Sequence, residues 1–89
     1  MKKIFPTGVF RRDVKRIARH KRDVSALYEI IECLRVGKEI PLASRLHKLH
    51  GKYEGCWECH IESDWLLIWE YKNDDIVLVR TGSHTDLFE

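Results

Sequence analysis

The spacing of apolar residues changes along this chain, and the change limits the folds that are open to it. In the first part, apolar residues recur at intervals of three and four, as on one face of an α-helix. The clearest series is Leu27, Ile30, Ile31 and Leu34. From residue 57 onward, apolar and polar residues alternate, which is the period of a half-exposed β-strand. Helices followed by strands predict an α+β domain.

Two helices are predicted in the first part, each with its own cap. Thr7 is placed to cap the first helix and Asp23 to cap the second. Gly37 suits the left-handed position that follows the end of a helix. Because only a few residues around 20–23 join the two helices, they should form an antiparallel helical hairpin. Residues 3–6, ended by a proline, are predicted as a short edge strand.

Three strands are predicted in the second part. They are the alternating segment from residue 57, residues 65–69, which are apolar on both faces, and residues 76–79. A polar turn at 72–75 joins the last two. Residues 38–55 are predicted to be an irregular loop. The sequence therefore predicts one α+β domain, residues 1–89, of order β-α-α followed by an antiparallel β-meander, with the helical hairpin packed on one face of a twisted sheet.

The net charge of +2 hides an uneven distribution. Residues 1–25 carry nine Lys or Arg against two Asp, which gives +7, and the rest of the chain carries seven against twelve, which gives −5. The basic part either meets a polyanion or an acidic partner, or is simply a solvated helix face. The sequence shows no secretory signal pattern and no apolar run long enough to span a membrane, so a cytoplasmic protein with reduced cysteines is expected.

Cys56, Cys59 and His60 form a C-x-x-C-H motif, the attachment pattern of haem c. In a strand the two cysteines point to opposite faces, whereas one metal site needs convergent ligands. The third cysteine, Cys33, lies in a predicted helix. We therefore expect no haem, no metal and no other cofactor, with Cys59 in the core and Cys56 on the surface.

The residues that can carry chemistry fall at the ends of the predicted strands. His60 and Asp64 lie four residues apart at one strand–turn junction, and Arg80 and His84 lie four apart at the end of a later strand. In a meander these two positions can approach each other. Imidazoles transfer protons near neutral pH, and a guanidinium binds a phosphate. Further candidates are His47 and His50 upstream, and the flanking aromatics Trp65 and Phe88.

Several of these residues have a second reading. Arg80 continues the parity of Ile76 and Leu78, so it is predicted on their face of the sheet, where it must reach solvent, a carboxylate or an anion. Trp65 is either core or a surface on which a base stacks, and Phe88 is either a pinned tail or part of the same surface.

These stretches resemble the YafQ branch of the RelE/ParE superfamily, the toxins of bacterial type II toxin–antitoxin pairs, which have a fold like that of the microbial RNases. The resemblance is carried by His47-x-Leu49-x-Gly51, by Glu58-x-His60-Ile61-x-x-Asp64-Trp65-Leu66-Leu67-Ile68, and by Arg80-Thr81-Gly82-Ser83-His84-x-x-Leu87-Phe88. Ser63 stands where some relatives have proline, and His50 is an additional histidine.

The resemblance implies a ribosome-dependent mRNA interferase that cuts mRNA without a metal. The family's functional positions map onto His47, His60, Asp64, Arg80, His84 and Phe88, with Trp65 beside them. The first five are expected to be catalytic, and Phe88 and Trp65 to contact the substrate. His50 is not one of the family's positions, but it lies next to His47 and is a further candidate for substrate contact. It further implies that the basic residues of the first helix dock on ribosomal RNA; these are Arg11, Arg12, Lys15, Arg16, Arg19, Lys21 and Arg22.

The expected partners are the 70S ribosome with its mRNA and a cognate antitoxin, with operator DNA bound only through the antitoxin complex and no membrane. Two alternatives remain at this point. One is a ParE-like toxin that inhibits DNA gyrase without nuclease chemistry, and the other is a non-catalytic domain that contacts RNA through its basic helix.

Overall fold

The computed structural model describes residues 1–88 and has a five-stranded sheet with three α-helices. In chain order the elements are β1 (Ile4–Pro6), α1 (Gly8–Arg19), α2 (Val24–Val36), β2 (His47–Lys48), β3 (Trp57–Glu62), β4 (Trp65–Lys72), β5 (Asp75–Gly82) and α3 (His84–Phe88). Among these described residues, no helix has both the length and the apolar content that crossing a membrane requires.

The predicted helix caps are confirmed. The Thr7 side chain accepts a hydrogen bond from the Phe10 N–H at 3.0 Å, and the Asp23 side chain accepts one from the Ser25 N–H at 3.0 Å. Gly37 ends α2 in the left-handed conformation, with a φ of 78°. Local sequence therefore determines where α1 and α2 begin and where α2 ends.

The sheet has the order β1-β5-β4-β3-β2. The three long strands form the predicted antiparallel meander, and β1 adds to its edge parallel to β5. β2 pairs antiparallel with β3 and lies within the segment predicted to be an irregular loop. Two residues are too few to show a period, so the sequence could not reveal this strand.

The core has two parts, one on each face of the sheet. On the first face, α1 and α2 pack on the strands, as predicted for the helical hairpin; the buried residues are Phe10, Ile17, Leu27, Ile30, Leu34, Cys59, Trp65, Leu67, Trp69, Ile76 and Leu78. On the second face, the 47–56 segment and α3 cover part of the sheet; the buried residues are Leu49, Tyr53, Cys56, Leu66, Ile68 and Leu87. The second face is therefore partly covered.

The prediction that Cys56 lies on the surface is wrong. Its side chain is buried in the second part of the core, because the 47–56 segment folds back over the sheet. Cys59 is buried in the first part, as predicted. Burial raises the pKa of the Cys56 thiol and raises that of Cys59 to about 12, so both thiols stay protonated and unreactive near neutral pH.

A β-bulge in β5 overturns the predicted face of Arg80. The register pairs Trp69 with Leu78 but Ile68 with Arg80, which leaves Val79 as an extra residue on β5. Residues paired directly across strands share a face, so Arg80 lies on the second face with Ile68. The parity with Ile76 and Leu78 that the sequence suggested is broken at the bulge.

Candidate active site

Two predicted site residues meet where α3 starts beside the β3–β4 turn. The Asp64 carboxylate accepts a hydrogen bond from the backbone N–H of His84 at 3.2 Å, and it lies 3.5 Å from Nδ1 of the same residue. Both side chains are more than half exposed, so they can reach a substrate. The predicted approach of the two strand ends is therefore present in the structure.

An aromatic row extends from this pair across the second face. The rings of His60 and His84 are 6.0 Å apart between centroids, and those of His84 and Phe88 are 5.8 Å apart and tilted by 33°. His84 and Phe88 are four residues apart on α3, which places them on one side of that helix. Phe88 remains 39% exposed, enough to offer part of its ring to a base.

α3 itself was not predicted, although the sequence contains a signal for it. The Ser83 hydroxyl is bonded to the Asp86 N–H, and the Asp86 carboxylate accepts from the Ser83 N–H, both at 3.1 Å. This reciprocal arrangement is a capping box, which starts a helix. The short helix that follows is what turns the side chains of His84 and Phe88 toward the sheet.

Tyr53 belongs to the site and was missed by the sequence analysis. Its ring packs edge-on against Phe88 at 5.3 Å, and its hydroxyl donates to the Leu87 carbonyl at 2.8 Å. It is buried, and it joins the 47–56 segment to α3. Nothing in the local sequence distinguishes it from a core tyrosine, because its contacts are made across 34 residues.

Arg80 is held by a buried aspartate of α1. Nε of Arg80 donates to one carboxylate oxygen of Asp13 at 2.7 Å, and Nη2 donates to the other at 2.9 Å. Burial alone would raise the pKa of Asp13, but the hydrogen bonds from Arg80 and its other donors outweigh this and lower the pKa. The same bonds, with a smaller contribution from Tyr53, raise the pKa of Arg80, so both partners are charged.

His47 is bonded at both ring nitrogens. Nδ1 lies 3.0 Å from the Arg45 carbonyl oxygen, and Nε2 lies 2.9 Å from a carboxylate oxygen of Glu58. The Glu58 side chain is buried, and its other oxygen, Oε1, has no hydrogen-bond partner among the described residues. With both nitrogens engaged, His47 is less free than His60 to exchange a proton with a substrate.

Trp65 does not form a stacking surface. Its side chain is fully buried in the first part of the core, and its Nε1–H donates to the Thr81 hydroxyl at 2.9 Å. The Arg22 guanidinium lies over the indole, 5.5 Å from the ring centroid, so that face of the ring is covered as well. The prediction that Trp65 lies in the core is therefore confirmed, and its burial does not support the predicted substrate contact.

His50 also stands apart from the cluster. Its imidazole is 81% exposed, and its Nδ1 lies 3.5 Å from the Glu54 carboxylate. No hydrogen bond, ion pair or ring pair among residues 1–88 links it to the other predicted site residues.

The basic residues of α1 do not all face solvent. Arg11, Arg12, Lys15 and Arg19 are exposed, as predicted. Arg16 is not free in the same way, because its guanidinium bonds to Asp13 at 2.9 Å and to the Thr81 carbonyl at 3.2 Å. The prediction that Arg16 is a docking residue is therefore not supported by its position. The remaining four form an exposed basic surface, which we call the α1 basic surface.

Comparisons with known proteins identify the family of this chain. A family model described as the bacterial toxin of a type II toxin–antitoxin system, YafQ, matches residues 2–89. A curated relative, the mRNA interferase toxin YafQ of Escherichia coli (strain K12), is 30% identical over 84 residues, which cover 92% of this chain and 90% of the relative.

Solved structures match over nearly the whole chain. The YafQ toxin in the E. coli DinJ–YafQ toxin–antitoxin complex has a TM-score of 0.91 and 28% identity, covering 99% of this chain and 98% of that chain. A copper-bound mutant toxin from Helicobacter pylori has a TM-score of 0.92 and 34% identity, covering 99% and 100%.

The copper in the Helicobacter structure raises the question of a metal site here. Within residues 1–88, no group of three or more His, Cys, Asp or Glu side chains is arranged to hold a metal ion. The pairs that do form, His84 with Asp64 and His47 with Glu58, supply two ligands each, whereas catalytic zinc sites use three protein ligands. The side chains of the described residues therefore do not form such a metal site.

Proposed function

This chain belongs to the YafQ family of bacterial type II toxin–antitoxin toxins, and we propose from that premise that it is a ribosome-dependent mRNA endoribonuclease that blocks translation. The observation that carries the proposal is the meeting of His60, Asp64 and His84 beside the exposed ring of Phe88. Imidazoles and a carboxylate transfer protons, and an exposed aromatic ring can hold an unstacked base. The curated relative named an mRNA interferase supports the same activity.

The reaction we propose uses the ribose 2′-OH of the mRNA as the nucleophile and needs no metal. A general base removes the 2′-OH proton, and the oxygen attacks the adjacent phosphorus. The bond from phosphorus to the 5′-oxygen breaks, and a general acid gives that oxygen a proton. The products are a 2′,3′-cyclic phosphate, which water can open to a 3′-phosphate, and a 5′-OH end. DNA lacks the 2′-OH and cannot react by this route.

The geometry supports a division of roles. His84 and Asp64 form the acid–base pair at the scissile phosphate, since they are in contact and exposed. His60 is the second proton-transfer partner or a phosphate ligand. It suits proton transfer better than His47, because both ring nitrogens of His47 are already bonded. Arg80 stabilises the charge that develops on the phosphorane, and Phe88 orients the nucleotide by stacking.

A single 2′-deoxy substitution tests the chemistry. An mRNA carrying one 2′-deoxynucleotide immediately 5′ to the mapped cut, placed in the ribosomal A site, should be left intact at that bond. The same mRNA with ribose at that position should be cut to a 2′,3′-cyclic phosphate or a 3′-phosphate and a 5′-OH, as read by end-group analysis. Cleavage at the deoxy position would exclude the 2′-OH as the nucleophile.

The α1 basic surface is the part of the molecule we propose to dock on ribosomal RNA. Its four exposed cations can neutralise phosphates, and such contacts weaken steeply as salt rises. The double variant Arg11→Glu/Arg12→Glu should therefore bind ribosomes at least about tenfold more weakly, since each charge reversal replaces a phosphate contact by repulsion. Binding is measured by ribosome co-sedimentation at several salt concentrations.

The matched control for that variant is Lys38→Glu/Lys72→Glu. It makes the same change in net charge at exposed positions outside α1 and should bind ribosomes like the wild type. Equal loss in both variants would show that only net charge matters, and unchanged affinity in the α1 variant would place ribosome docking elsewhere.

A cognate antitoxin is the expected protein partner, because the YafQ toxin of E. coli is solved in complex with DinJ. We propose that the complex binds its operator through the antitoxin, and that the toxin acts in the cytoplasm, where translating ribosomes are found. Operator binding by this chain alone would contradict that division.

A further inference from the structure

We propose that Asp13 is a positioning residue for Arg80 and fixes the orientation in which Arg80 meets the phosphate at the candidate site. The inference deepens the proposed function and rests on it for the identity of that phosphate, the scissile phosphate of mRNA. Asp13 lies on α1, 67 residues from Arg80 in sequence.

Asp13 is a buried carboxylate that accepts hydrogen bonds at both of its oxygens. Its side chain is 2% exposed. Beyond the two bonds from Arg80, it accepts from the Thr81 N–H at 3.1 Å and from Arg16 Nη1 at 2.9 Å. An ionised carboxylate is costly to bury unless it is paired and hydrogen-bonded, and here both conditions are met. The position of the Asp13 carboxylate is therefore fixed, and it can restrict the orientation of the Arg80 guanidinium.

The way Asp13 holds Arg80 leaves part of the guanidinium available. The carboxylate engages Nε and Nη2 in a two-pronged contact, whereas Nη1 makes no hydrogen bond to Asp13. The arginine side chain is 22% exposed, which leaves part of it open to a phosphate, and Tyr53 lies close enough to contribute to its raised pKa. A two-pronged contact fixes the plane of the guanidinium, which a single contact does not.

Fixing this plane before the substrate arrives favours the reaction. A free arginine side chain loses rotamer entropy when it binds a phosphate. If Asp13 has already restricted those rotamers, the donors meet the developing charge without reorganisation. The benefit should appear in the rate of the chemical step more than in the affinity for the ribosome.

The same aspartate connects Arg80 to the segment that carries His84. Arg16, bonded to Asp13, also donates to the Thr81 carbonyl at 3.2 Å and lies 3.5 Å from the Asp86 carboxylate. Gly82 sits between these groups: a Cβ there would come within 2.8 Å of Arg16 Nη2, and its φ is 155°. Through Arg16, Asp13 therefore connects Arg80 to the residues at which α3 begins.

The test compares Asp13→Asn with Asp23→Asn in single-turnover cleavage on programmed ribosomes. Asn has the shape of Asp but loses one acceptor oxygen and the charge. We expect Asp13→Asn to lower the maximal rate by about 10–100-fold, with the half-saturating toxin concentration changed by less than about twofold. Asp23→Asn removes the same charge at the start of α2, where Asn caps equally well, and should cleave like the wild type.

A double variant separates positioning from a structural effect. If Asp13 acts through Arg80, adding Asp13→Asn to Arg80→Ala should lower the rate by less than about twofold further. An equal loss in both backgrounds would overturn the inference, and so would a wild-type rate in Asp13→Asn. If Asp13→Asn does not fold, Arg80→Lys replaces it as the test, because lysine keeps the charge but not the two-pronged contact; a wild-type rate there would overturn the inference.

A measurement without substrate distinguishes failure of this inference from failure of the proposed function. NMR relaxation of the Arg80 side-chain Nε should report an order parameter above ~0.8 in the wild type and below ~0.6 in Asp13→Asn. Unchanged values would overturn the inference even if the wild type cuts mRNA. Loss of order in a protein that never cuts mRNA would retain the positioning contact and reject only the nuclease function.

Discussion

Replacing His84 by alanine should lower the rate of mRNA cleavage on ribosomes by about 10²–10⁴-fold, the usual contribution of a positioned general acid or base. His84 contacts Asp64 at 3.5 Å and lies between the rings of His60 and Phe88, so its removal deletes the centre of the cluster. Because its side chain is 56% exposed, the fold should survive. The rate is measured under single-turnover conditions with excess toxin over programmed ribosomes.

The control for this prediction is His20→Ala, which removes an exposed imidazole at the end of α1, outside the cluster. It should cleave like the wild type. If His84→Ala kept full activity while binding ribosomes normally, the acid–base assignment would be wrong, and His60 would have to be tested next.

Replacing Trp65 by alanine should cost about 3–5 kcal/mol of folding free energy, the usual effect of truncating a buried tryptophan. The indole is fully buried, and its N–H is bonded to the Thr81 hydroxyl, which itself donates to the Leu66 carbonyl at 2.7 Å. Small domains have only about 5–15 kcal/mol of stability in total, so the loss is large. Urea unfolding, followed by circular dichroism, measures it.

Trp65→Phe separates the structural role of this residue from a substrate role. Phenylalanine keeps most of the buried ring but loses the donor to Thr81, so a cost of about 1–2 kcal/mol is expected. The folded variant should cleave mRNA at nearly the wild-type rate. A loss as deep as that in His84→Ala, with the fold intact, would mean that Trp65 touches the substrate after all.

The helices and the central strands could be predicted because their signals are local. Thr7, Asp23 and Gly37 determine helix ends through bonds to residues close by in sequence. The apolar run beginning at Trp65 is long and bounded by a turn, so it could be assigned to a strand from its own residues.

The face of Arg80 could not be predicted, because it depends on a pairing between two strands. The bulge at Val79 shifts every residue after it, and nothing in the β5 sequence marks where the extra residue falls. The contact between Asp13 and Arg80 could not be predicted for the same reason, since it also depends on how distant segments pack together. A lone acid within the apolar stripe of α1, three residues after Phe10 and four before Ile17, was a signal of a buried partner, but the identity of that partner required the fold.

The candidate site was predicted in part. The approach of His60, Asp64 and His84 follows from antiparallel strands that end side by side. It could be predicted because the sequence shows the strands and their order. Tyr53 and the orientation of Phe88 could not be anticipated, since they depend on the fold of the 47–56 segment and on α3. Trp65 was placed with the site because of its neighbours in sequence, but its side chain points into the core.

The most direct test of the central claim is to express this chain in bacteria with two reporter mRNAs that differ only in a functional or a mutated start codon, and to map their 5′ ends. The account predicts new ends in register with the codons of the translated reporter and none in the untranslated one. Growth arrest with both reporters intact would contradict it and point to a non-nuclease toxin such as a gyrase inhibitor. Equal cutting of both reporters would show a ribonuclease that does not need the ribosome.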